Sequence, residues 1–260
     1  MRKALLVLLV LPLAACGGGG KSSGPPSNMA PIAYVKSAAT KTVQTPSEHV
    51  ALKGSVTVGA TLVTIDGTGA FDNAKKLGSM HADFSAGGLS GTLDEVLNGT
   101  TIYLQSPLLT SNLPQGKTWL KLDLQKAAPK GIDLSALTTQ SPTKLLAQLQ
   151  AAGNVTKVGD ETIDGTFTTH YRAQLDVAKL PKVAALAHAT YGPLDIWIGK
   201  DDGYVRRMHM GYTIKAASAS SQSVAMTVDF SDFGKSVSVS VPTAAETADG
   251  TGRAIPGLGG

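Results

Sequence analysis

One cysteine, Cys16, stands in a chain of 260 residues. A disulfide framework, a zinc ribbon, an iron–sulfur cluster and a Cys-X-X-Cys redox pair are therefore all excluded. Charge is scarce, at 16% of residues, and aromatic residues are scarcer still at 5%, which speaks against a coiled coil and against a wholly disordered chain. Lys and Arg number 23 against 19 Asp and Glu, a formal excess of +4, and no basic run concentrates it, so nucleic acid is not an expected partner. The longest apolar run, residues 4–13, is too short to cross ~30 Å of hydrocarbon. The histidines His49, His81, His170, His188 and His209 form no His-X-His or His-X-X-X-His pair, so no metal is expected. Ser141-Pro142-Thr143-Lys144 matches Ser-X-X-Lys but reads as a helix start, with Ser141 as cap and Pro142 in the first turn. Gly116-Lys117-Thr118 lacks the preceding glycine of a phosphate loop, and Asp201-Asp202-Gly203 lacks the downstream acids of a calcium loop. Neither catalysis nor a cofactor is expected.

What the chain does have begins at its N-terminus. Arg2-Lys3, the apolar run 4–13 and Leu13-Ala14-Ala15-Cys16 together look like a bacterial lipobox, with small residues before the cleavage point. The expected processing removes residues 1–15 as a signal peptide and acylates Cys16, for instance with palmitate, leaving the protein anchored in a membrane outside the cytosol. Residues 16–27, rich in Gly, Ser and Pro, read as a flexible tether with a typical span of roughly 17–20 Å. Residues 28–242 form one domain, and residues 243–260, dominated by Ala, Thr and Gly, read as a disordered tail.

Within the domain, a first helix is expected after Ser27 or Asn28, with Ile32, Val35, Lys36 and Ala39 on one stripe. Beyond Pro46 the period changes to alternation. Leu52 and Val56 share one strand face, Met80 and Phe84 another, and Ile102 with Leu104 follows the Asn98-Gly99 turn. Leu120 and Leu122 oppose Trp119 in phase. A second helix over 141–152 carries Leu146 and Leu149, and a third is expected within 176–189. Tyr171 and Leu175, Ile196 and Ile198, Met208 and Met210, and Met226 and Val228 fall in phase on later strands. The expected architecture is α+β, an antiparallel sheet whose apolar face is covered by helices.

Several segments, taken together, resemble a known family. They are the lipobox, Ile102-Tyr103-Leu104, Gly116-Lys117-Thr118-Trp119-Leu120-Lys121-Leu122, Val158-Gly159-Asp160-Glu161-Thr162-Ile163-Asp164-Gly165 and Thr169-His170-Tyr171-Arg172. Later come Leu194-Asp195-Ile196-Trp197-Ile198, Asp202-Gly203-Tyr204-Val205-Arg206-Arg207-Met208 and Phe230-Ser231-Asp232-Phe233-Gly234-Lys235. Their order and spacing resemble the LppX/LprG-type bacterial lipoproteins. The resemblance implies a LolA-like half-barrel, a curved antiparallel sheet lidded by helices around a hydrophobic cavity, and a role in carrying or presenting lipids at the cell envelope. It implies as lining Leu52, Val56, Met80, Phe84, Ile102, Leu104, Leu120, Leu122, Leu146, Leu149, Tyr171, Leu175, Ile196, Ile198, Met208, Met210, Met226 and Val228, with Met208→Arg expected to abolish lipid retention while leaving the strands formed. The expected partners are the membrane through Cys16, a lipid or acylated ligand, and another envelope protein. A rival reading is a partner-binding or sensor module with a collapsed cavity and no lipid. Arg206 and Arg207, on opposite faces of a strand, offer one cation to a headgroup or serve as edge charges.

Overall fold

Proline at the first helical position, a run of small and apolar residues and Lys41 in the last turn make residues Pro31–Val43 a helix, α1. Ala30 occupies the N-cap and supplies no side-chain cap. The buried stripe is Tyr34, Val35, Ala38, Ala39 and Thr42, rotated from the expected one: Lys36 and Ile32 are only half-buried because Tyr34 turns inward, its ring 5.9 Å from that of Tyr171. The helix is locked at its far end by Thr42, whose Oγ1 donates to Ala38 O (2.8 Å) and accepts from Val205 N (2.9 Å).

The computed structural model describes residues 29–111, 113–126, 146, 152–175, 189–214 and 221–251. After α1 come β1 (Ser47–Val58), β2 (Thr61–Asp72), β3 (Leu77–Ala86), β4 (Leu89–Asn98), β5 (Thr101–Gln105), the short helix α2 (Pro107–Thr110) and β6 (Trp119–Asp123). Then follow β7 (Ala152–Ile163), β8 (Thr166–Leu175), β9 (Ala189–Tyr191), β10 (Leu194–Gly199), β11 (Val205–Ile214), β12 (Gln222–Ser231) and β13 (Thr247–Asp249). They make one curved, open sheet in the order β13-β6-β5-β4-β3-β2-β1-β12-β11-β10-β8-β7, with β9 beside β11. Every pairing is antiparallel except β13 on β6. The expected class, an antiparallel sheet with few helices, is what the chain adopts.

The turns follow from local chemistry. Gly99 sits at φ +62° after Asn98, and Asp164 and Gly165 sit at +45° and +78°, the left-handed pair that suits a two-residue hairpin. Because opposite residues in a ladder share a face, the register assembles one apolar row from β8 to β4: Tyr171, Ile196, Met208, Val228, Leu52, Gly67, Ala82 and Leu93. α1 and Leu146, which is helical and fully buried, join the core on this face. Leu149, the Ser141–Lys144 motif and the expected helix within 176–189 lie outside the described residues, as do Cys16, His188 and the tether. Ala152 and Gly153, expected to finish the second helix, belong to β7.

Residues 243–251 differ from the expected disordered tail. Trp119 N and Thr118 N both donate to Glu246 O, Gly250 N donates to Lys121 O (2.9 Å), and β13 pairs with β6 between them. Lys117 Nζ donates to the carbonyls of Ala244 and Ala245. Residues 243–251 thus complete one edge of the sheet.

A close approach fixes the β2–β3 ladder. A Cβ on Gly78 would lie 2.2 Å from Cδ1 of Phe71, itself buried in the core. Gly78→Ala is expected to lose about 1–3 kcal/mol through overpacking, read as a lower urea midpoint at constant m-value; a change below about 0.5 kcal/mol would show that Phe71 is free to yield.

Candidate functional site

The apolar face divides into two halves. On β8, β10, β11 and β12, under α1, it is sealed: Tyr171, Ile196, Ile198, Met208, Met210 and Val228 are buried in one cluster with Leu146. At the margin of that cluster Leu52, Met80, Leu175 and Met226 are half-buried. On β2–β6 the face is looser. Ile102 and Leu120 are buried, but Phe84, Leu104 and Leu122 are half-buried, as is Val56 near the end of β1. The structure therefore places the described members of the expected lining on one face but in two environments. Met208, 1% exposed between Ile196 and Val228, is a core residue, so Met208→Arg buries an unpaired cation and breaks the fold instead of sparing it.

Two carboxylic acids interrupt this face. Glu48 lies opposite Phe71 and Glu95 opposite both Met80 and Leu104. Glu48 is fully buried; Asn73 Nδ2 donates to its Oε2 (2.8 Å), and among the described residues Oε1 has no hydrogen-bond partner. Burial pushes its carboxyl up to about 7, against the smaller opposite pull of Asn73. Burial likewise raises Glu95. Neither acid was singled out from the sequence, although Glu48 shares the strand parity of Val50 and Leu52, which is the signal that marks an inward side chain.

The opposite face carries the polar chemistry. Here the sheet curls so that Trp119 of β6 and Ile163, Asp164 and Thr166 at the β7–β8 tip border one hollow of about 730 Å³. Its floor includes Ala51, Ala70, Ser79 and Val96, and its walls include His49, His81, Asp94 and Asp229. Of the expected lining residues only Met80 borders it. The charges around it are paired. His81 Nδ1 meets Asp94 Oδ1 at 2.6 Å, and that hydrogen bond raises the imidazole above its ordinary range. His49 Nδ1 meets Asp232 Oδ2 at 2.7 Å. Arg207 forks onto Asp229, with Asp164 3.6 Å away.

Arg206 and Arg207 do not simply alternate. A register shift pairs Ile198 with Val205 and Trp197 with Arg207, leaving Arg206 as the extra residue of a bulge. Arg206 pairs with Asp202 and lies over the Phe233 ring, 4.9 Å from its centre. Further along this face His170 stacks on Trp197 at 4.3 Å, and its Nε2 meets Asp195 Oδ1 at 2.8 Å. Asp195 also accepts from Arg172 Nε (2.8 Å). Burial opposes ionisation of Asp195, yet the hydrogen bonds from Arg172 and His170 outweigh it and lower its pKa. Trp197 Nε1 donates to Glu161 Oε1 (2.6 Å). The two tryptophans thus serve this face, one bordering the hollow and one bracing a buried histidine. Among the described residues no three His, Cys, Asp or Glu side chains are placed to hold a metal, and no helix is long and apolar enough to cross a membrane.

Comparison with known proteins adds three findings. A sequence model of the LppX_LprAFG lipoprotein family matches residues 30–239. An uncharacterized 31.2 kDa protein from the rplA-rplJ intergenic region of Streptomyces griseus is 29% identical over 154 residues, 52% of this chain and 48% of that protein. The chain spans about half the length of the curated relatives it matches. Among solved structures, LprF from Mycobacterium bovis is similar at 14% identity and TM-score 0.49, covering 82% of this chain and 97% of that one. LppX from Mycobacterium tuberculosis is similar at 17% identity and TM-score 0.46, covering 80% and 97%.

Glu48 supplies a pH test. Its folded pKa lies above the unfolded value, so the stability associated with its proton is complete below about pH 4.5 and is lost as pH rises through about 7. Urea midpoints are expected to fall from pH 5 to pH 8, by up to about 3 kcal/mol in free energy, and Glu48→Gln is expected to remove most of that slope. An equal slope in Glu48→Gln would assign the pH dependence elsewhere.

Proposed function

The chain belongs to the LppX_LprAFG lipoprotein family, and from that premise we propose that it is a lipid-anchored protein of the cell envelope that holds acyl chains against the looser half of its apolar face. The observation that carries this reading is the contrast within one face. Tyr171, Ile196, Ile198, Met208, Met210 and Val228 on β8, β10, β11 and β12 are buried together with α1, whereas Met80, Phe84, Leu104 and Leu122 on β3–β6 remain half-buried. Acyl chains suit such a surface because each methylene withdrawn from a bilayer costs about 0.8 kcal/mol unless apolar contact replaces it. Met80 and Met226, at the margin between the halves, are unbranched and polarizable and adapt to chains of differing shape. Cys16 is the acylation site in this reading, and the role is one of binding or carriage without covalent chemistry.

The rival, a partner-binding module without lipid, draws support from the solid packing around Met208 and Met210. Native mass spectrometry of the chain purified from a bacterial membrane fraction separates the two. Carriage predicts a lipid adduct beyond the Cys16 modification. Replacing Leu104 and Leu122 together by Asp is expected to reduce adduct occupancy at least tenfold while shifting unfolding by less than the loss of fold expected for Met208→Arg. A bare protein mass that stays bare on adding lipid, or undiminished occupancy in the double variant, would overturn the carriage reading.

A further inference from the structure

Charge is unevenly distributed along the strands. Lys53, Asp66 and Asp83 form one cross-strand row, continued on the other side of β1 by Thr227, His209, Asp195 and Arg172. Beyond that row, toward the β1–β2 and β3–β4 turns, charge stops in the described strands; Lys215, which follows Ile214 in sequence, lies outside the described residues. Residues 54–65, 84–93, 210–214 and 222–228 contain no Asp, Glu, Lys, Arg or His, and neither do residues 105–116 around α2, in a chain where 16% of residues are charged. At about 3.3 Å per residue the neutral zone is roughly 15 Å deep. The other end of the same strands carries Glu48, His49, Asp72, Asp229, Asp232 and Arg207.

The neutral end is also where leucines face water. Leu62 is 54% exposed, Leu89 66% and Leu108 56%. Single exposed leucines are ordinary, but these stand on neighbouring tips: Val63, next to Leu62, pairs with Ala86, and Ala86 pairs with Leu89. β5 runs toward the same end and leads into α2, which carries Leu108.

A second observation orients this end. The C-terminal turn of α1 is tied to the charged end through Thr42 and Val205, whereas Tyr34 near its start lies against Tyr171, in the row of Leu52 and Met208. The helix therefore points its N-terminus toward the neutral end. Met29 and Ala30 enter α1 on that side, and Cys16 precedes them in sequence.

We propose that the uncharged β1–β2 and β3–β4 turns, with α2 beside them, dock into the surface of a neutral lipid bilayer, with Leu62, Leu89 and Leu108 at the headgroup–acyl boundary. Turns without charge have no counter-ion shell to strip and no ion pair to offer a protein partner, and their apolar tips gain from hydrocarbon contact. The docking does not require anionic lipid and is insensitive to salt. Resting on the proposed carriage function, it has one consequence for that function: an acyl chain passing from the bilayer to Val56, Phe84 and Met226 crosses no charged row.

The test places a cysteine at Leu62, Leu89 or Leu108 in the full chain, attaches a nitroxide, and reads oxygen against nickel-complex accessibility on phosphatidylcholine vesicles. Lys75→Cys and Lys235→Cys, at the charged end, are the controls. Labels at 62, 89 and 108 are expected to become at least several-fold more oxygen-accessible with vesicles, equally in low and in 1 M salt, while the controls stay aqueous. Tip labels that remain aqueous with vesicles present, or contact that appears only with anionic lipid, would overturn the docking. Labelling of the parental chain at Cys16, and lipid adducts by mass, are read separately. Co-purifying lipid with aqueous tips defeats only the docking; immersed tips with no lipid adduct defeat only the carriage.

Discussion

A ladder of directly opposed residues decides most of this structure. Because Leu52 faces Val228, Val228 faces Met208, Met208 faces Ile196 and Ile196 faces Tyr171, a slip of one residue anywhere would turn an entire strand's apolar set to water. The register is therefore held by burial as much as by backbone hydrogen bonds, and α1 is the element that makes the burial pay. Its Tyr34, Val35, Ala38 and Ala39 complete the cluster, and Thr42 ties the helix to the first residue of β11. The sheet is far wider than a thirteen-residue helix, so the rest of the apolar face has to find another cover, and the division into a sealed and a looser half follows from that mismatch in width.

The second face obeys a different constraint. Several of its charged side chains are buried or half-buried, and each of these needs a fixed partner to remain ionised. Asp195 meets both His170 and Arg172, Asp229 meets Arg207, and Asp160 is drawn well below the usual carboxylate range by hydrogen bonds from Lys157 and Lys200. The β7–β8 tip is drawn toward this network through Asp164 and Arg207. Arg207 and Asp164 thus link β11 to the tip that borders the hollow. Glu48 is the counter-example on the apolar face: it has one amide partner and no cation, and burial resolves the conflict by favouring its neutral form.

Strand alternation was legible along much of the chain, since the phased pairs Met80 with Phe84, Ile196 with Ile198 and Met226 with Val228 fall on β3, β10 and β12. The Asn98-Gly99 turn was legible too, because positive φ restricts residue choice. Three features were not. The stripe of α1 depends on an aromatic contact with Tyr171 that no helical period contains. β13 is three residues of Thr-Ala-Asp, with no alternation to read, and its order comes from hydrogen bonds to β6. The polar hollow requires knowing that Trp119 and Ile163 share a border, and separation along the chain hides that. In the expected lining, parity placed the residues on the apolar face, but it could not distinguish Met208, 1% exposed, from the half-buried Leu104 and Leu122, because phase carries no information about what lies above.

Under the proposed carriage, that distinction lets one sheet serve both stability and binding. A surface that is to exchange an apolar guest must leave contacts unmade when empty, which costs stability, so it needs a neighbouring region that over-satisfies its own. Here the two are joined through β1 and β12, where Leu52 and Met226 border the sealed cluster while Val50, Val228 and Phe230 lie inside it. The rigid half fixes strand twist and spacing, and the looser half inherits a defined curvature without having to pack for it. The open edges fit the same logic. β7 is interrupted by two register shifts and carries Lys157, Asp160 and Glu161, devices that discourage pairing with another chain, while β13 covers β6 on the far side with only three residues. Both margins are thus poor templates for a further strand, so the contacts that this fold leaves open are on its faces and at its uncharged turns.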